Sequence, residues 1–147
     1  FLSKLGIEPL TKKFNYKYFK KFLKGRKKNV KNLLMDQTFV SGLGNIYVNE
    51  ALFNSRIRPI RTCNSLKENE IKKLVFNIKK VLKFSILKGG SSIKNFENAH
   101  GKSGKFQEFF NVYDQEDKKC SRISCKGKIK KITISSRSTF YCNSCQI

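Results

Sequence analysis

The chain has 147 residues, with 32 Lys plus Arg against 10 Asp plus Glu, a formal net charge of +22. Self-repulsion of that size points to a polyanionic partner, with a phosphate backbone as first candidate and an anionic membrane surface as second. No apolar run approaches the ~20 residues that span a bilayer, no signal-peptide pattern is present, and the length suits one ordinary domain or two small ones.

Residues 1–28 are basic and aromatic. Phe14, Tyr18 and Phe22 recur at helical spacing with Phe19 and Leu23 alongside, and Gly25 is placed to stop the helix they predict. The cluster Arg26-Lys27-Lys28 follows. Val30, Leu33 and Leu34 predict a short helix ending near Asp36, Ser41-Gly42-Leu43-Gly44 a turn, and Asn45 to Asn54 a second helix. Pro59 falls in a loop, and Cys63 reads as a packed or surface thiol. Ser65-Leu66-Lys67-Glu68 has the form of a capping box. After it, Ile71, Leu74, Val75, Ile78, Val81, Leu82 and Ile86 form an apolar stripe at helical spacing that should end at Gly89-Gly90. Ser91-Ser92 caps a predicted short helix through Ile93 and Phe96, and residues 98–106 form a polar loop.

The last quarter carries Cys120 and Cys125, four residues between them, and Cys142 and Cys145, two residues between them, with sixteen residues separating the pairs. Ile129, Ile132 and Ile134 predict one arm of a hairpin, Phe140 and Tyr141 the other, and Ser135-Ser136-Arg137-Ser138 its tip. Four thiolates paired by tight turns and joined by a hairpin can surround one structural Zn²⁺ tetrahedrally. Two disulfides are the competing reading, but cysteines so close within each pair suit a metal better, and nothing suggests secretion. The fold class expected is mainly α, with a helical domain over residues 1–106 and a small β-hairpin zinc finger over 107–147.

Gly42 and Gly44 permit a tight turn, and Asn45 stands where the next helix begins. Free N–H groups at a helix start suit a phosphate oxygen, to which Asn45 could add its amide. The same pattern serves as an ordinary turn in proteins that never touch DNA, although Lys27, Lys28 and Lys31 could line the same face. Most of the basic residues read as a solvated surface. Phe106, Phe109 and Phe110 read as packing between the helical part and the finger, and His100 as a loop residue.

Lys31-Asn32-Leu33-Leu34-Met35-Asp36-Gln37 followed by Val40-Ser41-Gly42-Leu43-Gly44-Asn45-Ile46-Tyr47-Val48-Asn49-Glu50-Ala51-Leu52-Phe53 resembles the helix–two-turn–helix motif, at about 29–54, of formamidopyrimidine-DNA glycosylases. Leu5-Gly6-Ile7-Glu8-Pro9-Leu10 is similar to the segment entering their C-terminal domain, Gly89-Gly90-Ser91-Ser92-Ile93 to their post-helix turn, and Arg137-Ser138-Thr139-Phe140-Tyr141-Cys142 to their zinc-finger tip. The order and approximate intervals agree over essentially the whole chain. The first cysteine pair departs from many relatives, which have two intervening residues.

The resemblance implies a bacterial cytoplasmic base-excision repair enzyme that acts as a monomer on damaged double-stranded DNA. It implies removal of oxidised purines, such as 8-oxoguanine and formamidopyrimidines, after the base is flipped out, and nicking of the abasic site. It assigns Asn45 to a phosphate beside the lesion, Lys31 to the backbone near the damaged nucleotide, and Lys27 (or Arg26 or Lys28 under a small shift) to a basic DNA contact. Arg137 is assigned to the flanking phosphates and to the second elimination step. The loop around His100 to Gly104 resembles the segment that closes over the everted base. The family's nucleophile is an N-terminal proline followed by glutamate. This chain begins Phe1-Leu2, so the expectation is a DNA-binding half, inactive alone, whose catalytic domain belongs to the same polypeptide in the parent protein. The alternatives are the related endonuclease VIII-like branch, which takes oxidised pyrimidines, a non-catalytic zinc-containing nucleic-acid-binding module, and a zinc scaffold for protein partners.

Overall fold

The computed structural model describes residues 5–23, 25–87 and 110–147. The expected stop at Gly89-Gly90, the short helix after Ser91-Ser92, Phe106, Phe109 and the loop carrying His100 lie outside the described residues. Among the described residues four helices run in order, α1 (Tyr16–Leu23), α2 (Val30–Met35), α3 (Asn45–Asn54) and α4 (Glu68–Leu87), with a 3₁₀ turn over Cys63–Ser65 before α4. A single antiparallel hairpin follows among the described residues, β1 (Ile129–Ile134) and β2 (Arg137–Cys142). The expected class, mainly helical with a small β-hairpin module, is the one observed.

Asn15 accepts the Tyr18 N–H at 3.0 Å and so caps α1. Gly25, at φ 74°, ends the α1 turn, where Arg26 N–H returns to the Leu23 carbonyl. Phe14, Phe19 and Phe39 form a contiguous aromatic cluster in the core beneath α1. Asn29 caps α2 by accepting the Asn32 N–H at 2.8 Å. The turn into α3 is fixed by Asp36, which accepts both the N–H and the hydroxyl of Thr38 at 2.9 and 2.6 Å. Gly42 sits in that turn at φ 79°, where a side chain would be strained. Gly6 lies so close to the Phe39 backbone that a Cβ would meet its carbonyl carbon at 2.3 Å, which explains a glycine in the entering segment.

α4 departs from two expectations. Its cap is Lys67, whose N–H donates to Glu70 Oε1 at 2.9 Å, not Ser65. Ser65 is occupied elsewhere, donating its hydroxyl to the Thr62 carbonyl and accepting from Arg61 Nε. The buried stripe runs from Ile71 to Val81, with Leu82 half-buried, but Ile86 is 59% exposed and leaves it. Cys63 is packed in the helical core, where burial pushes its thiol up.

A second core gathers Phe53, Val112, Ile129, Phe140, Cys120 and Cys142. Phe53 belongs to α3, so the helical part contributes a side chain to the interior of the finger. The hairpin turn is narrower than expected: Ser135 and Ser136 alone form it, at φ 49° and 65°, and Arg137 is already paired opposite Ile134.

Candidate nucleic-acid interface and metal centre

The four cysteines come together in space. The Sγ atoms of Cys120, Cys125, Cys142 and Cys145 all lie within 4.8 Å of one another. Cys120 to Cys145 is 3.8 Å and Cys125 to Cys142 is 3.6 Å. Sulfurs about 2.3 Å from a tetrahedral zinc stand about 3.8 Å apart, so the donor set fits one structural Zn²⁺. Burial pushes the Cys120 thiol up to about 12, a position that a bound dication offsets, whereas the Gly127 N–H leads in drawing Cys125 down to about 7. Backbone N–H groups of Gly127, Ser144 and Cys145 point at Cys125 or Cys142 sulfur, each at 3.4 Å. A Cβ on Gly127 would stand 2.5 Å from Cys142 Sγ, so the knuckle requires glycine there.

The finger is held against α3 by polar groups that sequence reasoning passed over. Glu50 accepts the consecutive N–H groups of Asn111, Val112 and Tyr113 at 2.8, 3.0 and 3.0 Å. Burial pushes its carboxyl up, against those donors, which favour the charged form. Asn49 accepts the Phe140 N–H at 2.8 Å, and Gln146 bridges Cys142 N–H and the Ile57 carbonyl, each at 2.7 Å. Arg58 donates to the carbonyls of Gln146 and Asn143. Arg122 donates to Cys145 Sγ at 2.8 Å and to the Phe53 carbonyl at 2.6 Å. Phe110 meets Tyr47 of α3 and Tyr113 edge to face, which matches its expected packing role.

This docking carries the hairpin tip to the α2–α3 turn. Lys31 Nζ and Asn45 Nδ2 both donate to the Ser138 carbonyl, at 3.4 and 3.1 Å. Lys31 also donates to Thr139 Oγ1 at 2.5 Å, and Ser135 donates to Asn32 at 3.0 Å. Lys31 is 1% exposed. Its burial, and then the nearby Arg137 charge, draw its ammonium down from 10.5 to about 8. Arg137 is exposed at the start of β2. Lys31 and Asn45 therefore meet at the carbonyl of Ser138, a residue far from both in sequence, and the Arg137 charge stands near Lys31. The first turn of α3 carries no acidic residue, and its cap, Gly44, offers no side chain. Lys27 lies apart on the α1–α2 loop and is exposed, whereas Arg26 stacks on Phe22 and Lys28 pairs with Asp36 at 3.4 Å.

Residues 5–97 match the family model described as the formamidopyrimidine-DNA glycosylase H2TH domain, and residues 117–147 match a zinc finger found in FPG and IleRS. Formamidopyrimidine-DNA glycosylase of Ruegeria sp. (strain TM1040) is 44% identical over 145 residues, covering 99% of this chain and 51% of that protein. Its counterpart in Wolbachia pipientis subsp. Culex pipiens is 44% identical over 146 residues, covering 99% and 53%. Among solved structures, the Lactococcus lactis glycosylase non-covalently bound to DNA containing an AP site superimposes with a TM-score of 0.83 at 39% identity, covering 99% of this chain and 51% of that one. The Thermus thermophilus protein gives 0.84 at 35%, covering 99% and 55%. The chain spans about half the length of the curated relatives it matches. With both family models matched and the metal and tip geometry in place, the chain belongs to the formamidopyrimidine-DNA glycosylase family.

Proposed function

We propose that these residues form the DNA-binding half of a base-excision repair glycosylase and AP lyase that removes oxidised purines and nicks the abasic site. The observation that carries the reading is the convergence of Lys31 and Asn45 on the Ser138 carbonyl beside Arg137. Ammonium, amide and guanidinium groups gathered beside an uncapped helix start suit consecutive phosphates of one strand. Lys27, which makes no ion pair among the described residues, is the fourth proposed contact. The proposed partner is damaged duplex DNA, bound by a monomer in the bacterial cytoplasm. Relatives whose structures hold DNA containing an AP site or carbocyclic 8-oxo-G support that choice. We divide the chain at residue 106, with the helical DNA-binding domain before it and the finger after it.

The chain spans about half the length of the curated relatives, and we assign the secondary amine that would attack the sugar to the half it does not span. Arg137 is assigned a part in the elimination that follows, by holding the phosphate that departs. The test is a binding and trapping assay on the zinc-loaded chain. Affinity for duplex DNA should fall about 10³-fold or more between about 50 and about 200 mM salt, with little preference for a lesion. Borohydride should trap no covalent adduct on abasic DNA. Salt-independent binding, or an adduct that maps to a residue of this chain, would overturn the assignment.

A further inference from the structure

A groove of about 560 Å³ lies between α1, the Cys63–Ser65 turn and the first turns of α4, on elements other than those that carry Lys31, Asn45 and Arg137. Its apolar floor is Leu23, Cys63, Leu66 and Ile71, and its rim is Lys17, Lys20 and Lys21. α1 contains no acidic residue. Glu68 is the one acid among the described residues lining the groove, and Lys72 holds it at 2.9 Å. Among the described residues no carboxylate pairs with Lys17, Lys20 or Lys21. Lys17 and Lys21 thus stand over an apolar floor with no carboxylate at ion-pair distance among the described residues, while Lys20 lies close enough to Glu68 to favour its charged form.

We propose that the groove receives an acidic peptide segment of a partner protein, with one large apolar side chain on the floor and its carboxylates on the lysine rim. The volume lies in the range that seats such a side chain with its neighbours. Charge complementarity selects an acidic partner. A nucleic-acid base fits less well, because the aromatic ring in the groove, Tyr16, is already engaged by Lys20 and Lys72, whose Nζ atoms lie 5.8 and 5.4 Å from its centroid. The remaining floor is aliphatic and offers no stacking platform.

The probe is a dye-labelled peptide, Glu-Asp-Glu-Asp-Leu-Phe, titrated with the zinc-loaded chain at about 150 mM salt, where exposed charges more than about 8 Å apart are largely screened. A control peptide carries Ser-Ser in place of Leu-Phe. The Leu-Phe peptide should bind about tenfold more tightly than the control, a difference of the size that burying one large side chain gives. The double variant K20E/K21E should lose about tenfold or more of that binding while duplex DNA affinity changes less than about threefold. In the unsubstituted chain the peptide should shift the amide resonances of Lys21, Asn64 and Leu66. Equal binding of the two peptides would reduce the groove to diffuse charge. An equal loss of DNA affinity in the variant would make these lysines phosphate contacts. Displacement of the peptide by oligothymidylate of the same charge would assign the groove to single-stranded nucleic acid. Shifts centred on Asn45 and Arg137 would place the peptide on the DNA face. Each of these outcomes overturns the proposal, and the wild-type resonances decide it even if the variant fails to fold.

Discussion

Arg122 of the finger lies over the ring of Phe53 in α3, its Cζ 4.0 Å from the ring centroid. The same guanidinium donates to Cys145 Sγ and to the Phe53 carbonyl. One side chain therefore touches a metal ligand and the last turn of the helix that begins at Asn45, so the orientation of the sulfur cluster and that of α3 are tied together.

Arg122→Met should keep much of the packing volume and lose both hydrogen bonds. The expected cost to the finger is about 1.5–3 kcal/mol, the range for hydrogen bonds involving a charged group. Zinc affinity measured by competition with a chromophoric chelator should fall along with the finger's unfolding temperature. Unchanged values of both would show that Arg122 only decorates the surface.

Chelation should unfold the finger and spare the helical part. The finger core is small, and a hairpin of this size gains its stability from the metal. The larger helical core contains none of the four ligands. Hydrogen exchange after zinc removal should rise sharply over 110–147 and at Phe53 but little at Leu33, Leu52 and Ile78. Loss of protection throughout would mean that the two parts cannot stand apart.

Arg137→Ala should weaken duplex binding by about 1.5–3 kcal/mol, because the proposed charge-assisted phosphate contacts would be lost. In a protein that also carries the catalytic domain, the substitution should slow strand cleavage beyond the loss of affinity. A variant that binds and nicks normally would remove Arg137 from the interface.

Lys31 provides a pH signature. Its folded value of about 8 lies below the ordinary 10.5. Between those values the unfolded chain holds a proton that the folded chain lacks, so this group makes stability rise with pH across that window. DNA affinity, which in the proposed role of Lys31 needs the ammonium, should fall from about pH 8 upward in the same window. Both trends should vanish in Lys31→Met, measured by unfolding and by anisotropy at constant ionic strength. An affinity decline that persists in that variant would assign the titration to another group.

The sequence was legible where spacing is local. α3 begins and ends at the residues predicted, Asn45 and Asn54, because a glycine-rich turn precedes it and apolar residues continue through it. The cysteine cluster was legible from intervals alone. The cap of α4 was misplaced because Ser65 offers the right chemistry two residues early, and only the fold shows that Arg61 and Thr62 already occupy it. Asn49, Glu50, Arg122 and Gln146 were missed because the partners they reach across the boundary between helices and finger are 61 to 91 residues away. A signal was present: α3 carries apolar residues on every side, so a polar residue such as Glu50 had to be buried with a partner.

The Ser138 carbonyl gives the proposed DNA face a kinetic character. By accepting from both Lys31 and Asn45, it keeps these groups gathered before any ligand arrives. The repulsion between Lys31 and Arg137 is overcome when the chain folds, not when it meets a strand. Association should then be governed by encounter and electrostatic steering, with no slow rearrangement of these side chains to follow.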